Sequence, residues 1–119
     1  MKKIFHLSNC DTCQRIIKET GAVAAACELQ DIKTQQISAE DLDNWATKVG
    51  SYEALFSRRA LKFRAMGLHE KTLTEQDYRR LILEEYTFLK RPIILVGDEI
   101  FVGNTAKVVA AAKVAIQAT

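Results

Sequence analysis

The sequence predicts an α/β domain built on a mixed four-stranded sheet flanked by helices, and three observations predict it. A short alternating stretch over residues 3–7 is followed by a helical pattern over 11–20 and a second strand pattern over 26–32. Further on, the apolar runs 93–96 and 99–102 are separated only by Gly97-Asp98 and followed by an alanine- and valine-rich helix over 105–118. Between these two blocks, residues 37–90 carry apolar side chains at helical spacing. The order is β-α-β, a helical insertion, then β-β-α.

Each element has its own justification. Strand–helix–strand in so short a span implies parallel strands with a right-handed crossover, because parallel neighbours cannot be joined by a tight turn. Gly21 is well placed to end the first helix. In the second strand Cys27 and Leu29 fall on one face, and Cys27 reads most simply as a small core residue. Ser38 with Asp41 three residues on reads as a helix start, followed by Leu42, Trp45, Ala46 and Val49 at helical spacing and closed by Gly50. Trp45 reads as core. Residues 52–56 form a short helical turn, and a further helix ends at Gly67-Leu68, leaving His69 in an exposed loop with no ligand role. Thr74 and Asp77 make a second capping box for a helix over 75–86, with Tyr78, Leu81, Ile82 and Tyr86 on one face. Gly97-Asp98 predicts a hairpin with a type II′ turn, which supplies the antiparallel half of the sheet. With 119 residues, the chain is expected to be one domain with a core large enough to need no metal or disulfide staple.

The chemistry concentrates in Ser8-Asn9-Cys10-Asp11-Thr12-Cys13, at the first strand-to-helix junction. The first turn of a helix has unpaired N–H groups and the positive end of the helix dipole, so it favours an anion there. A thiolate at Cys10 gains that support, and the thiolate is the reactive form of cysteine. Cys13, one turn on, is near enough to attack a mixed disulfide on Cys10 and close an internal bridge. A zinc site is the competing reading, but the only other Cys or His residues are Cys27, His6 and His69, at no ligand spacing. No metal is expected. A structural disulfide is disfavoured, since nothing in the sequence looks exported.

Composition narrows the rest. Apolar residues make up 48% of the chain, which suits a globular protein rather than a disordered one. The net charge of +2 gives no reason to expect nucleic acid or a membrane surface as partner. No apolar run approaches a membrane span, and the short one after Lys2-Lys3 is broken by His6, unlike a signal peptide. Three cysteines, an odd number, in such a chain point to a reducing cytoplasm, where C-x-x-C beside a strand–helix unit reads as redox chemistry. Ser57-Arg58-Arg59, in a turn before a helix, is read either as a solvated charged face or as side chains aimed at a site.

Taken together, Asn9-Cys10-Asp11-Thr12-Cys13, Ser57-Arg58-Arg59 with Phe63, Leu89-Lys90-Arg91-Pro92-Ile93 and Val102-Gly103 resemble the arsenate reductase ArsC/Spx/YffB family. That resemblance implies a thioredoxin-like fold over the single domain 1–119, with the helical insertion at about 37–90. It implies Cys10 as nucleophile and Arg91 as an oxyanion ligand, joined by Arg59 or, one place off, Arg58. Asn9, Thr12 and Pro92 complete the substrate-contact candidates, and the family's proline is cis. Two departures stand out. Arsenate reductases proper carry a third arginine where this chain has Gly103-Asn104, and they rely on external glutathione and glutaredoxin, whereas Cys13 offers internal resolution. The expected function is an arsenate reductase-like thiol-disulfide oxidoreductase. Its substrate is a small oxyanion or a disulfide, and glutathione/glutaredoxin or thioredoxin is the electron donor, with no bound cofactor. The alternative is an Spx-like redox-sensing regulator of RNA polymerase, with Gly50 as the polymerase-contacting glycine. The sequence stops after its last helical pattern, without the basic extension of those regulators, which favours the enzyme.

Overall fold

A computed structural model describes residues 1–118. In chain order the elements are β1 (Lys2–His6), α1 (Asp11–Glu19), β2 (Glu28–Asp31), α2 (Ala39–Val49), α3 (Leu61–Ala65), α4 (Glu75–Glu84), β3 (Ile93–Val96), β4 (Glu99–Val102) and α5 (Ala106–Gln117). The described chain divides into two compact units, the first made of residues 1–36 and 91–118 and the second of Ile37–Lys90.

The first unit holds the sheet, with strand order β2-β1-β3-β4. β1 runs parallel to β2 and antiparallel to β3, and β3 pairs antiparallel with β4, so the sheet is mixed as predicted. Alternation along the strands sends Ile4, Ile94 and Val96 to one face. There they meet Ile16 and Ile17 of α1 and Val109, Ala112 and Ile116 of α5 in one buried cluster. The 3- and 4-residue spacing on α5 is what puts three of its side chains on this face. The hairpin turn has Gly97 at φ 58 while Asp98 keeps a negative φ, the combination that defines type II′.

The second strand is shorter than predicted. It starts at Glu28 rather than 26, because Ala26 adopts a left-handed conformation (φ 61) and turns the chain before pairing begins. Cys27 is half-buried against the α1–α5 cluster instead of fully inside it. Leu29, beside Ile4 on the edge strand, is 41% exposed.

The junction after α1 is tied to the far end of α5. Gln117 Nε2 donates to the Thr20 carbonyl at 2.7 Å, and a Cβ on Gly21 (φ 69) would lie 2.5 Å from that same nitrogen. Gly21→Ala should therefore strain the backbone and displace Gln117, lowering stability by ~2 kcal/mol, read as a lower urea midpoint at unchanged m-value.

The second unit is helical. Ser38 caps α2 by accepting from the Asp41 N–H at 3.0 Å, Gly50 closes α2 at φ 101, and Thr74 with Asp77 forms the predicted capping box on α4. Trp45 is buried. α4 ends two residues earlier than predicted, and its apolar face does not include Tyr86. Glu85 turns its carboxylate back to accept from the Thr87 N–H and hydroxyl, which starts a separate 3-10 turn at Tyr86–Phe88. Phe56 sits among Phe63, Tyr78 and Phe88, with ring centroids 6.0, 4.9 and 5.1 Å away. Backbone bonds from Ser57 to Phe88 (2.7 Å) and from Lys90 to Leu55 (2.8 Å) lay the segments before Arg58 and before Arg91 side by side. Among the described residues no helix is long and apolar enough to cross a membrane.

Candidate active site

The site forms where β1 gives way to α1. Cys10 is the N-cap of α1 (φ −101, ψ 109), with its own N–H donating to the Leu7 carbonyl at 3.1 Å and its carbonyl accepting from Gln14 at 3.1 Å. A neutral thiol is a weak acceptor and makes no regular cap bond, yet the Cys13 N–H of the first turn is placed to favour an anion on the Cys10 sulfur. Cys10 is partly exposed, Cys13 is fully buried, and both are free thiols.

Sheet topology brings the arginine to this point. β3 runs antiparallel to β1, with Ile93 opposite Phe5, so the residues entering β3 lie beside those leaving β1. Arg91-Pro92 enters β3 through a cis peptide bond, as the family resemblance implies, and the Pro92 carbonyl accepts from Gly103 at 3.0 Å.

The acidities of the two thiols are shifted in opposite directions. Burial works against a thiolate at Cys10, but the Cys13 N–H, the Cys13 thiol and the charge and hydrogen bond of Arg91 outweigh it and hold its pKa below the ordinary thiol value. At Cys13 burial dominates, and the neighbouring Cys10 adds to it against the pull of the Leu7 N–H and Arg91, so its pKa is pushed up to about 11. Cys27 is likewise raised, by burial, with Lys2 pulling the other way. Cys10 is therefore the sulfur suited to attack, and Cys13 keeps its proton until a reaction demands it.

The remaining candidates separate. Asn9 is exposed and Thr12 partly so, both within the motif itself. Arg58 is committed inside the helical unit: it donates to Glu53 at 2.7 Å and to the Tyr78 hydroxyl at 2.8 Å, and lies over the Tyr78 ring. Arg59, its neighbour, is exposed in the turn before α3. Sequence reasoning missed two polar side chains around the cysteine loop: Gln14, which bonds to Leu7 and His6, and Asp31, whose carboxylate is influenced by Ser8. Gln14 reads in sequence as any wet helical position, and Asp31 as the end of a strand, so no local signal marked them.

The family model described as ArsC family matches residues 5–112, which include Cys10, Cys13, Arg91 and the whole helical unit. The chain belongs to the ArsC family. No curated protein matches it. Among solved structures it is similar to the protein titled YFFB, at 24% identity and TM-score 0.77, covering 94% of this chain and 98% of that one. It also resembles an arsenate reductase from Vibrio cholerae, at 15% identity and TM-score 0.78 over 93% and 96% of the two chains. A third is an arsenate reductase (ArsC) related protein from Brucella melitensis, at 23% identity and TM-score 0.72 over 92% of each. At these identities the likeness establishes the ArsC-type, thioredoxin-like fold. Within that fold, this ArsC-family member has Gly103 at φ 90 ending β4, its N–H spent on Pro92.

Proposed function

We propose that this chain is a cytoplasmic thiol-disulfide oxidoreductase of arsenate reductase type, with Cys10 as nucleophile and Cys13 as resolving thiol. The observation that carries this reading is the unequal pair itself: one partly exposed sulfur whose pKa is lowered by the Cys13 N–H and thiol and by Arg91, beside one buried sulfur whose pKa is raised to about 11.

With a disulfide substrate, the Cys10 thiolate attacks one sulfur, and the substrate's other sulfur leaves as a thiolate. Cys13 then loses its proton and attacks Cys10, forming the Cys10–Cys13 bridge and releasing the second thiol. With arsenate, Cys10 displaces an oxygen as water to form a sulfur–arsenic bond. Attack of Cys13 on the Cys10 sulfur then leaves the electron pair on arsenic, which departs as arsenite. Either way two thiols are oxidised and the substrate gains two electrons. Two equivalents of glutathione with glutaredoxin, or one reduced thioredoxin, restore the pair. Arg91 supplies charge-assisted hydrogen bonds to an oxyanion.

Assays of the reduced protein with arsenate and with a small disulfide, each coupled to glutathione/glutaredoxin or to thioredoxin, decide the substrate and donor. Cys13→Ser should trap the first step. Incubated with glutathione disulfide, it should accumulate a one-to-one mixed disulfide on Cys10, seen by intact mass, while the unmodified chain passes through to its internal bridge. A variant that stays unmodified would overturn the division of roles. Gly50, the residue a polymerase-binding reading depends on, is accounted for as the left-handed C-cap of α2.

A further inference from the structure

The loop that carries Cys10 is gripped at two consecutive residues by side chains from two different elements. From α1, the Gln14 side-chain amide donates to the Leu7 carbonyl at 2.9 Å and lies 3.2 Å from His6 Nδ1. A carbonyl only accepts, so it is the NH2 of Gln14 that faces it, and the second hydrogen of that group meets His6 Nδ1 as acceptor. The same Leu7 carbonyl receives the Cys10 N–H at 3.1 Å. From β2, the Asp31 carboxylate accepts from the Lys33 N–H at 3.1 Å, and the Ser8 hydroxyl and, less strongly, the Ser8 N–H help hold it below the ordinary carboxylate range. Asp31 reaches Ser8 because it pairs opposite His6, the last residue of β1, in the parallel register.

We propose that Gln14 and Asp31 are positioning residues that hold Leu7 and Ser8 and thereby fix the Cys10 sulfur at the mouth of α1, within reach of Arg91. The inference rests on the Cys10 chemistry proposed above and names what keeps that sulfur in place. Neither side chain touches a reacting atom. The effect of Gln14 passes through Leu7, whose backbone meets both cysteines: its carbonyl accepts from the Cys10 N–H, and its N–H lies toward the Cys13 sulfur. Asp31 acts on Ser8, the next residue of the same loop. A loosened loop lets Cys10 drift from the Cys13 N–H and from Arg91. Burial, the one influence opposing the thiolate, then gains weight.

The test is the pH dependence of iodoacetamide alkylation at Cys10 in the reduced protein, located by peptide mass, with thermal unfolding measured alongside. Gln14→Met and Asp31→Ala should each move the alkylation limb upward by about half to one pH unit. Alkylation below the limb then slows by about three- to tenfold, since each unit changes the thiolate fraction tenfold. Asp31→Asn keeps an acceptor for Ser8 and should stay within about twofold of the unmodified chain. The sign separates positioning from plain charge. Removing a carboxylate near a thiol by itself lowers the thiol pKa and speeds alkylation. Faster or unchanged alkylation in Asp31→Ala, or an unmoved limb in Gln14→Met, would overturn the proposal. Gln14 is on the exposed side of α1, so its variant folds and decides the matter alone if Asp31→Ala does not. Alkylation needs no substrate. Failure of the oxidoreductase reading would appear separately, as absent turnover in the unmodified chain.

Discussion

Cys10→Ser is expected to abolish turnover, with a fall of at least ~10³-fold toward the uncatalysed rate, because covalent attack has no substitute nucleophile at this position. A serine hydroxyl at the N-cap is a good helix cap, so the fold should be kept or slightly strengthened. The loss would then be chemical rather than structural. Cys13 cannot take over: it is fully buried, and its pKa of about 11 leaves it protonated at neutral pH. Cys27 is raised by burial and packs against the α1–α5 cluster. The check is turnover in the thiol-coupled assay, with unfolding midpoints of both proteins measured under reducing conditions. Residual activity within tenfold of the unmodified chain would mean that another group performs the attack. Cys10→Ser and Cys13→Ser should also differ in kind. The first forms no adduct with glutathione disulfide, whereas the second forms one and stops.

The parts of this fold that are legible in sequence are those encoded by neighbours. The β3–β4 hairpin follows from two apolar runs and a glycine able to take positive φ, and it occupies the predicted residues. Thr74 with Asp77, and Ser38 with the Asp41 N–H, set the starts of α4 and α2 through contacts three residues apart. Element ends were less legible. Ala26 takes a conformation usually left to glycine, so nothing in its identity announced the turn that shortens β2. Glu85 stops α4 by capping the next turn, a choice that competes with helix continuation on nearly equal terms. The C-x-x-C motif is readable because the strand-to-helix junction is local, and sheet pairing then brings Arg91 to it across most of the chain. Arg58, in contrast, is held by Glu53 and by Tyr78, twenty residues away, a pairing that only the folded helical unit creates. The grip of Asp31 on Ser8 is of the same kind. It depends on strand register, which one sequence does not display.

Arg91→Ala is expected to have the second-largest effect, and its direction follows from the balance at Cys10. Burial favours the thiol there, while the Cys13 N–H and thiol and the Arg91 guanidinium favour the thiolate, with a net lowering from the ordinary value of 9.0. Removing Arg91 takes away both its charge and its hydrogen bond, so the pKa must rise. The limb of alkylation against pH should move up by about one unit, a tenfold slower reaction at any pH below both limbs. Arg91→Lys keeps a cation and should restore part of that shift. It cannot offer the two parallel donors of a guanidinium, so with an oxyanion substrate its KM should stay raised by about tenfold. The same balance governs stability. The native state holds Cys10 less protonated than the unfolded chain does, so its contribution is full above pH 9.0 and lost as pH falls through the native value. Arg91→Ala should shrink that window, flattening the rise in unfolding midpoint as pH approaches 9.0 from below. If the alkylation limb and the stability profile both stay where they are, the guanidinium beside Cys10 has no part in ionising it. Small-molecule disulfides give the complementary arm. An uncharged one such as hydroxyethyl disulfide carries no anion, so Arg91→Ala should slow its reduction only through the lost thiolate, and correcting for thiolate fraction should bring the two rates together.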